Sequence, residues 1–405
     1  MVGRQGSTMV VAAAVLGVLT FGVGSGSAGS ANGRDAAGEA AKSRAVAKTG
    51  AAANTGAELR QSLDRVIAAP DGSPGLSVLI NRNGKSEYLR RGLADVPAGL
   101  VPGRKLHLRI ASVAKAFSGA IALRLVSRGK LRLHDTVGEL LPGLLPKAGR
   151  VTLGQALHHT GGLPDYIRSE DFIKVLLNDP AAYMSPRRLL SFVKNDRLEF
   201  KPGSRYRYSD TDNIVVGLMA ERVTGIPYER LVRKWLGRKI TLRGTSLPKK
   251  VSMPRPYLHG YEITPGEQPF DVSEYINPAS AWASGGIVST LPDLGRFFRS
   301  YVGGGLFGGK VTRSQRRWLE GESQPPGPGV NMAGLGLFRY RSRCGTVFGH
   351  TGSFPGYRIF AAASADGSRS IAYVANAQIV PGQGSAEVSA LIRRSQVAAV
   401  CHALR

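Results

Sequence analysis

The 405-residue sequence predicts an α/β chain of the α+β kind, with one antiparallel sheet completed by both ends of the chain around a mostly helical second subdomain. Three observations predict it. Near the N-terminus, residues 76–81 and 85–91 flank Asn81-Arg82-Asn83-Gly84 and read as a hairpin. Near the C-terminus, residues 346–350, 357–364 and 370–375 are β-rich runs separated by glycine-containing turns. Between them, from residue 131 to about 319, helical segments are broken by Pro and Gly. The length exceeds that at which one core usually stops growing, so one large domain or two interlocked ones are expected, and an apolar fraction of 42% is ample for a core.

Residues 1–31 read as an export signal: Arg4 supplies the positive region, residues 9–23 the short apolar stretch, and residues 25–31 the small residues for cleavage. The competing reading is an uncleaved anchor, but the apolar stretch falls short of the ~20 residues a bilayer span needs. Residues 32–56, rich in Ala and Gly, read as a flexible tether, so the folded body is expected over 57–405. It opens with a helix over residues 57–69, stopped by Pro70-Asp71-Gly72-Ser73-Pro74, and then the hairpin. Residues 106–110 read as extended, and residues 114–127 as a helix apolar on all sides and therefore buried. A last helical period covers residues 386–400.

The net charge of +26 raises nucleic acid as a partner, but the cations are spread along the chain, and export removes the protein from cytoplasmic nucleic acid. No nucleic-acid partner is expected; attraction to anionic cell-wall polymers fits the charge. Cys344 and Cys401 are the two cysteines, and an oxidising exterior favours a disulfide between them over two buried thiols. No metal-ligand cluster is present and no cofactor is implied. Gly303-Gly304-Gly305-Leu306-Phe307-Gly308-Gly309-Lys310 nearly matches a phosphate loop, but it follows a helical run and Val311 replaces the required Ser or Thr. G-x-S-x-G and H-E-x-x-H are absent.

Ser-x-x-Lys occurs four times, at Ser112, Ser127, Ser191 and Ser246. In a helix this spacing brings a lysine amine to a serine hydroxyl, a nucleophile with its proton acceptor. Pro248 interrupts the pair begun by Ser246, Gly129 ends the helix at Ser127, and no turn exposes Ser191. Ser112-Val113-Ala114-Lys115 differs. It follows an extended segment and opens the apolar helix, near unpaired backbone N–H groups, although a serine there is also a good helix cap.

Ser112-x-x-Lys115 is followed by Tyr208-Ser209-Asp210, after a Pro202-Gly203 loop and before a helical run, and then by His350-Thr351-Gly352. This order resembles the serine penicillin-recognising enzymes, in the branch holding class C β-lactamases, related esterases and secreted D-alanyl-D-alanine carboxypeptidases. The resemblance covers most of residues 59–401 and includes Arg109-Ile110-Ala111, His159-Thr160-Gly161-Gly162-Leu163-Pro164 and Ala281-Trp282-Ala283-Ser284. The cysteine positions and the His of the third motif most resemble the carboxypeptidases. It implies a β-lactamase/transpeptidase-like fold and an acyl-enzyme at Ser112, with Lys115 and Tyr208 moving protons and Tyr208 favoured as tyrosinate by the ammonium. It further implies an oxyanion site from the N–H groups of Ser112 and Ser353, a substrate-binding role for Asp210, His350, Thr351 and Gly352, and Trp282 as a wall of the acyl pocket. β-Lactams are implied as covalent ligands, and peptidoglycan stem peptides or another acyl compound as substrate of a secreted monomer.

Two decoys are set aside: His159-Thr160-Gly161 as a structural loop, and Tyr275-Ile276-Asn277 because it lacks the flanking loop and helix. Two departures bear on substrate. Asp210 stands where the family often has Asn, and Phe338 where the carboxypeptidases carry an arginine for the substrate carboxylate, leaving Arg339, Arg341 or Arg358 as substitutes. Cleavage of a terminal D-Ala therefore leads; an esterase, D-aminopeptidase or β-lactamase on the same scaffold, or a noncatalytic wall-binding protein, are the alternatives. An unperturbed His350 titrating near pH 6.5 predicts pH-dependent activity.

Overall fold

The computed structural model describes residues 43–82, 84–379 and 385–405. The expected export signal and the first part of the expected tether lie outside them. From Ser43 onward the expected tether is helical instead: α1 (Ser43–Ala68) begins well before residue 57. Residues 45–53 hold five alanines, the strongest helix former, and Thr55 and Leu59 are already buried, so propensity and packing both extend the helix upstream.

Eight strands form the central sheet: β1 (Gly75–Arg82), β2 (Lys85–Gly92), β3 (Leu319–Glu320), β4 (Val330–Gly334), β5 (Leu337–Ser342), β6 (Gly345–Phe354), β7 (Tyr357–Ala363) and β8 (Arg369–Ala375). Their order is β2-β1-β8-β7-β6-β5-β4-β3, with every neighbouring pair antiparallel. β1 lies along β8 from Leu76–Ala375 to Arg82–Arg369, so the sheet is completed by both ends of the chain, as expected. The strands β3 to β5 were not predicted. β3 has two residues and β4 no charged or aromatic one, so neither carries a clear alternation, and they continue the sheet from β5, which pairs with β6. Residues 131–319 hold helices as expected, and also the short strands Tyr261–Ile263 and Phe270–Asp271, which form a small ladder with Ala377–Ile379.

Alternation along the strands divides the interior into two cores. On one face Val78 and Ile80 of β1, Phe360 of β7 and Tyr373 of β8 pack with Leu59 and Leu63 of α1 and with Val388, Ile392 and Ala399 of α5 (Ser385–Leu404). On the other, Leu79, Ile359, Ala361 and Val374 meet α2 (Ala114–Ser127), α3 (Asp210–Thr224) and α4 (Leu291–Val302). Nearly every residue of α2 is buried, which matches its all-round apolar sequence. Ser118 Oγ donates to Asn213 Oδ1 at 2.6 Å and ties α2 to α3.

Cys344 and Cys401 form the expected disulfide, joining the β5–β6 turn to α5 across a sequence separation of 57 residues. A loop of that length restricts the unfolded chain substantially. Replacing both cysteines with serine is predicted to lower unfolding free energy by about 2–4 kcal/mol, read as a lower denaturation midpoint at unchanged slope.

Candidate active site

The other Ser-x-x-Lys serines are structural. Ser127 and Ser191 Oγ donate to the carbonyls of Arg124 and Arg188 one turn earlier, and Ser246 pairs through its backbone with Val288. Ser112 lies in a single 3₁₀ turn, Ala111–Val113, that runs directly into α2. Its N–H stands in the first turn, where no intrahelical acceptor exists. Ala111 has φ of 51°, a left-handed conformation that costs a side-chain-bearing residue about 1–2 kcal/mol. The turn is forced by close packing. A Cβ on Gly352 of β6 would lie 2.8 Å from Ile110 O, 2.9 Å from Ala111 Cβ and 3.1 Å from Ser112 N. Arg109 anchors the approach from the other side by donating to the carbonyls of Ser273 and Val251.

Lys115 is 1% exposed, and its Nζ donates to Ser112 Oγ at 3.1 Å, Asp210 Oδ1 at 2.8 Å and Ser284 O at 3.0 Å. Those three acceptors use all three N–H groups of an ammonium. Asp210 opens α3 where a dipole favours an anion, and its own N–H donates to Asp165 Oδ1 at 3.1 Å. Tyr208 is buried beside them, with Lys115 Nζ 4.9 Å from its ring centroid. Its hydroxyl makes no well-formed hydrogen bond, though it faces Ser112 closely enough for that hydroxyl to lower its pKa somewhat. Burial, and next the carboxylate of Asp210, outweigh this and hold Tyr208 well above the ordinary phenol range. The resting group is a neutral phenol, not the expected tyrosinate.

Beside Ser112 opens a cleft of about 660 Å³, counting its mouth, walled by Phe172, Leu176, Ile276 and Phe354 and floored by Ser112, Asp210 and Ser353. The β5 pairing of β6 ends at Gly349–Phe338, so the part of β6 carrying Gly352 and Ser353 passes the nucleophile beyond that ladder.

Several expected residues sit elsewhere. Trp282 does not wall the cleft: it packs against Tyr228 and over Gly217 of α3, with Nε1 donating to Glu229 Oε1 at 3.2 Å. The glycine in α3 leaves the space its ring fills. Thr351 is buried with its hydroxyl donating to Pro325 O. His350 Nδ1 donates to Thr351 O at 2.5 Å, and burial pushes its pKa down to about 3, so the expected titration near pH 6.5 is overturned. Phe338 packs edge-on against His350. None of its three expected substitutes lines the cleft: Arg339 lies over Trp318, Arg341 is exposed, and Arg358 lines a separate pocket with Pro325, Ile392 and Gln396. Asn277 of the rejected motif caps its own turn and donates to Ala181 O and Lys249 O.

Sequence reasoning missed Asp165, Asp212 and the side chain of His159. The 159–162 loop is structural as expected, since its carbonyls accept from Arg207, Gly203 and Glu199 and so hold the segment leading to Tyr208. His159 itself lies against the Tyr208 ring, 4.6 Å between centroids, with Nδ1 2.8 Å from Asp212 Oδ2. Burial and the neighbouring Asp210 raise the Asp165 pKa to about 8. The sequence signal for His159 is its place in His159-Thr160-Gly161-Gly162-Leu163-Pro164, which reads as a structural loop.

A family model described as Beta-lactamase matches residues 63–392. Over 217 residues the chain is 29% identical to Protein flp of Staphylococcus aureus (strain N315), covering 50% of this chain and 41% of that protein. The chain thus spans less than half the length of that curated relative. A D-stereospecific amidohydrolase from Streptomyces superimposes with TM-score 0.71 at 28% identity, covering 79% of this chain and 94% of the other. The D-amino acid amidase from Ochrobactrum anthropi SV3 shares the fold, with TM-score 0.74 at 21% identity and coverage of 85% and 98%.

Two outcomes follow from this geometry. Because the folded His350 pKa is depressed from 6.5 to about 3, its neutral burial contributes stability above pH 6.5 that is lost as pH falls toward 3. His350→Gln is predicted to lose less stability than the parent between pH 7 and pH 4, measured by denaturant unfolding at each pH. Gly352→Ala is predicted to slow acylation of Ser112 by at least about tenfold, because its methyl displaces the nucleophile turn; rates come from labelling with fluorescent penicillin.

Proposed function

The chain belongs to the Beta-lactamase family and is a serine hydrolase of that fold, and on that premise we propose that it hydrolyses D-aminoacyl amides, esters or short peptides through an acyl-enzyme at Ser112. One observation carries the choice of substrate: the cleft beside Ser112 is walled by apolar side chains, and no Arg, Lys or His is among the described residues that line it. An apolar acyl side chain fits such walls, whereas a free terminal carboxylate has no cation to meet. Similarity to the Streptomyces D-stereospecific amidohydrolase supports the D-configuration.

In this reading Lys115 holds the nucleophile in the resting state. When a substrate excludes water, the proton shared across the 2.8 Å contact passes to Asp210, and the freed amine takes the Ser112 proton as Oγ attacks the carbonyl. The oxyanion lies at the N–H groups of Ser112 and Ser353. Tyr208, a phenol, gives its proton to the leaving nitrogen or oxygen and is reprotonated from Lys115; deacylation runs the relay with water in place of Ser112. β-Lactams, strained cyclic amides, acylate the same oxygen.

A D-alanyl-D-alanine carboxypeptidase is the second reading, favoured by the order of Ser112, Lys115, Tyr208 and His350-Thr351-Gly352. Residues 1–31 support export, which brings the site to peptidoglycan stem peptides, and the net charge of +26 suits anionic wall polymers around them.

Purified protein given D-phenylalanine amide and a peptide ending in D-Ala-D-Ala is predicted to prefer the amide by at least about tenfold in kcat/KM, with Ser112→Ala inactive on both. Preferential release of terminal D-Ala establishes the second reading, and turnover surviving in Ser112→Ala removes both.

A further inference from the structure

Tyr208 must present its hydroxyl to Ser112, yet that hydroxyl has no well-formed hydrogen bond, so its placement comes from contacts on the ring. The nearest aromatic partner is His159, 4.6 Å away and tilted by 31°. What fixes His159 is on α3. Its Nδ1 lies 2.8 Å from Asp212 Oδ2, two residues after the Asp210 that pairs with Lys115. The N–H of Ser209 also points at Nδ1, at 3.4 Å. A backbone N–H can only donate, so this contact points to an Nδ1 without a hydrogen, whose single lone pair then accepts chiefly across the shorter contact, with the hydrogen on Asp212.

The surroundings of Asp212 agree. It is 1% exposed, and its Oδ1 has no hydrogen-bond partner. An ionised carboxylate with one bare buried oxygen is costly, while a carboxylic acid there is not. Burial, and then Asp165, hold the Asp212 pKa well above the usual carboxylate range, as burial and Lys115 hold His159 well below its own.

We propose that Asp212, as a neutral carboxylic acid, donates to Nδ1 of His159 and so seats the imidazole against Tyr208, making His159 and Asp212 positioning residues for the Tyr208 hydroxyl. The inference rests on the reading of Ser112 as the acylated nucleophile and Tyr208 as its proton donor. Neither residue lines the cleft, so they act on the rate of proton transfer and leave substrate binding intact.

The test is the rate of Ser112 acylation by a fluorescent penicillin, in which Oγ bonds the carbonyl carbon, the ring C–N bond breaks and the freed nitrogen takes the Tyr208 proton. His159→Leu is expected to slow labelling by about tenfold, with the concentration dependence unchanged. Combined with Tyr208→Phe, it is expected to add nothing to the slowing caused by Tyr208→Phe alone. Asp212→Asn, whose amide can still donate to Nδ1, is expected to restore most of the rate that Asp212→Leu loses. If His159→Leu does not fold, His159→Gln takes its place in the cycle. Parental rates in His159→Leu, additive slowing in the double variant, or Asp212→Asn as slow as Asp212→Leu overturns the inference. A parent that is not labelled at Ser112 overturns it together with the functional reading on which it rests.

Discussion

A lysine ammonium in the interior of this molecule sets the terms for everything around it. Leaving such a charge buried without compensation costs several kcal/mol, so its position is tenable only where acceptors converge on every N–H. Three do, and they come from separate parts of the chain: the Ser112 hydroxyl one turn away, the Asp210 carboxylate at the start of α3, and the Ser284 carbonyl from the turn after Trp282. The nucleophile is thus one of the groups that makes burial of Lys115 possible.

The rest of the fold brings those acceptors together. α2 is largely apolar because it runs between the sheet and α3, and its buried Lys115 points at the site. β6 must pass so close to the Ser112 turn that only glycine fits at position 352. Gly217 lets Trp282 sink against α3, which sets the turn whose Ser284 carbonyl reaches Lys115. Asp210, Asp212 and Asp165 surround the α3 terminus, and Asp165 accommodates its neighbours with a raised pKa. The catalytic groups are held mainly by packing and by hydrogen bonds to the charged forms.

Much of this was legible in the residues. The hairpin of β1 and β2, the strands β6 to β8 and the buried α2 are long, strongly patterned segments, and the ordered motifs selected Ser112, Lys115 and Tyr208 from several literal matches. What escaped depends on distant neighbours. Trp282 belongs to the motif, but the direction of its ring is decided by a glycine more than sixty residues earlier. The tyrosinate expected at Tyr208 followed from the neighbouring ammonium and the titration expected at His350 from its ordinary chemistry, and burial opposes both. His159-Thr160-Gly161 reads as a structural loop, and only the fold shows both copies of the triplet near Tyr208. Thr55, upstream of the expected start of α1, lies against His402 of α5, some 350 residues later.

The claim at the centre is that Lys115 serves Ser112 through shared protons and hydrogen-bond geometry, beyond supplying positive charge. Lys115→Arg separates the two, since a guanidinium keeps the charge but gives up no proton at working pH. With the variant shown to be folded by circular dichroism, the rate at which β-lactam adds to Ser112, followed by intact mass, tests it most directly. The account predicts a fall of at least about a hundredfold. Acylation of Lys115→Arg at the parental rate would contradict it.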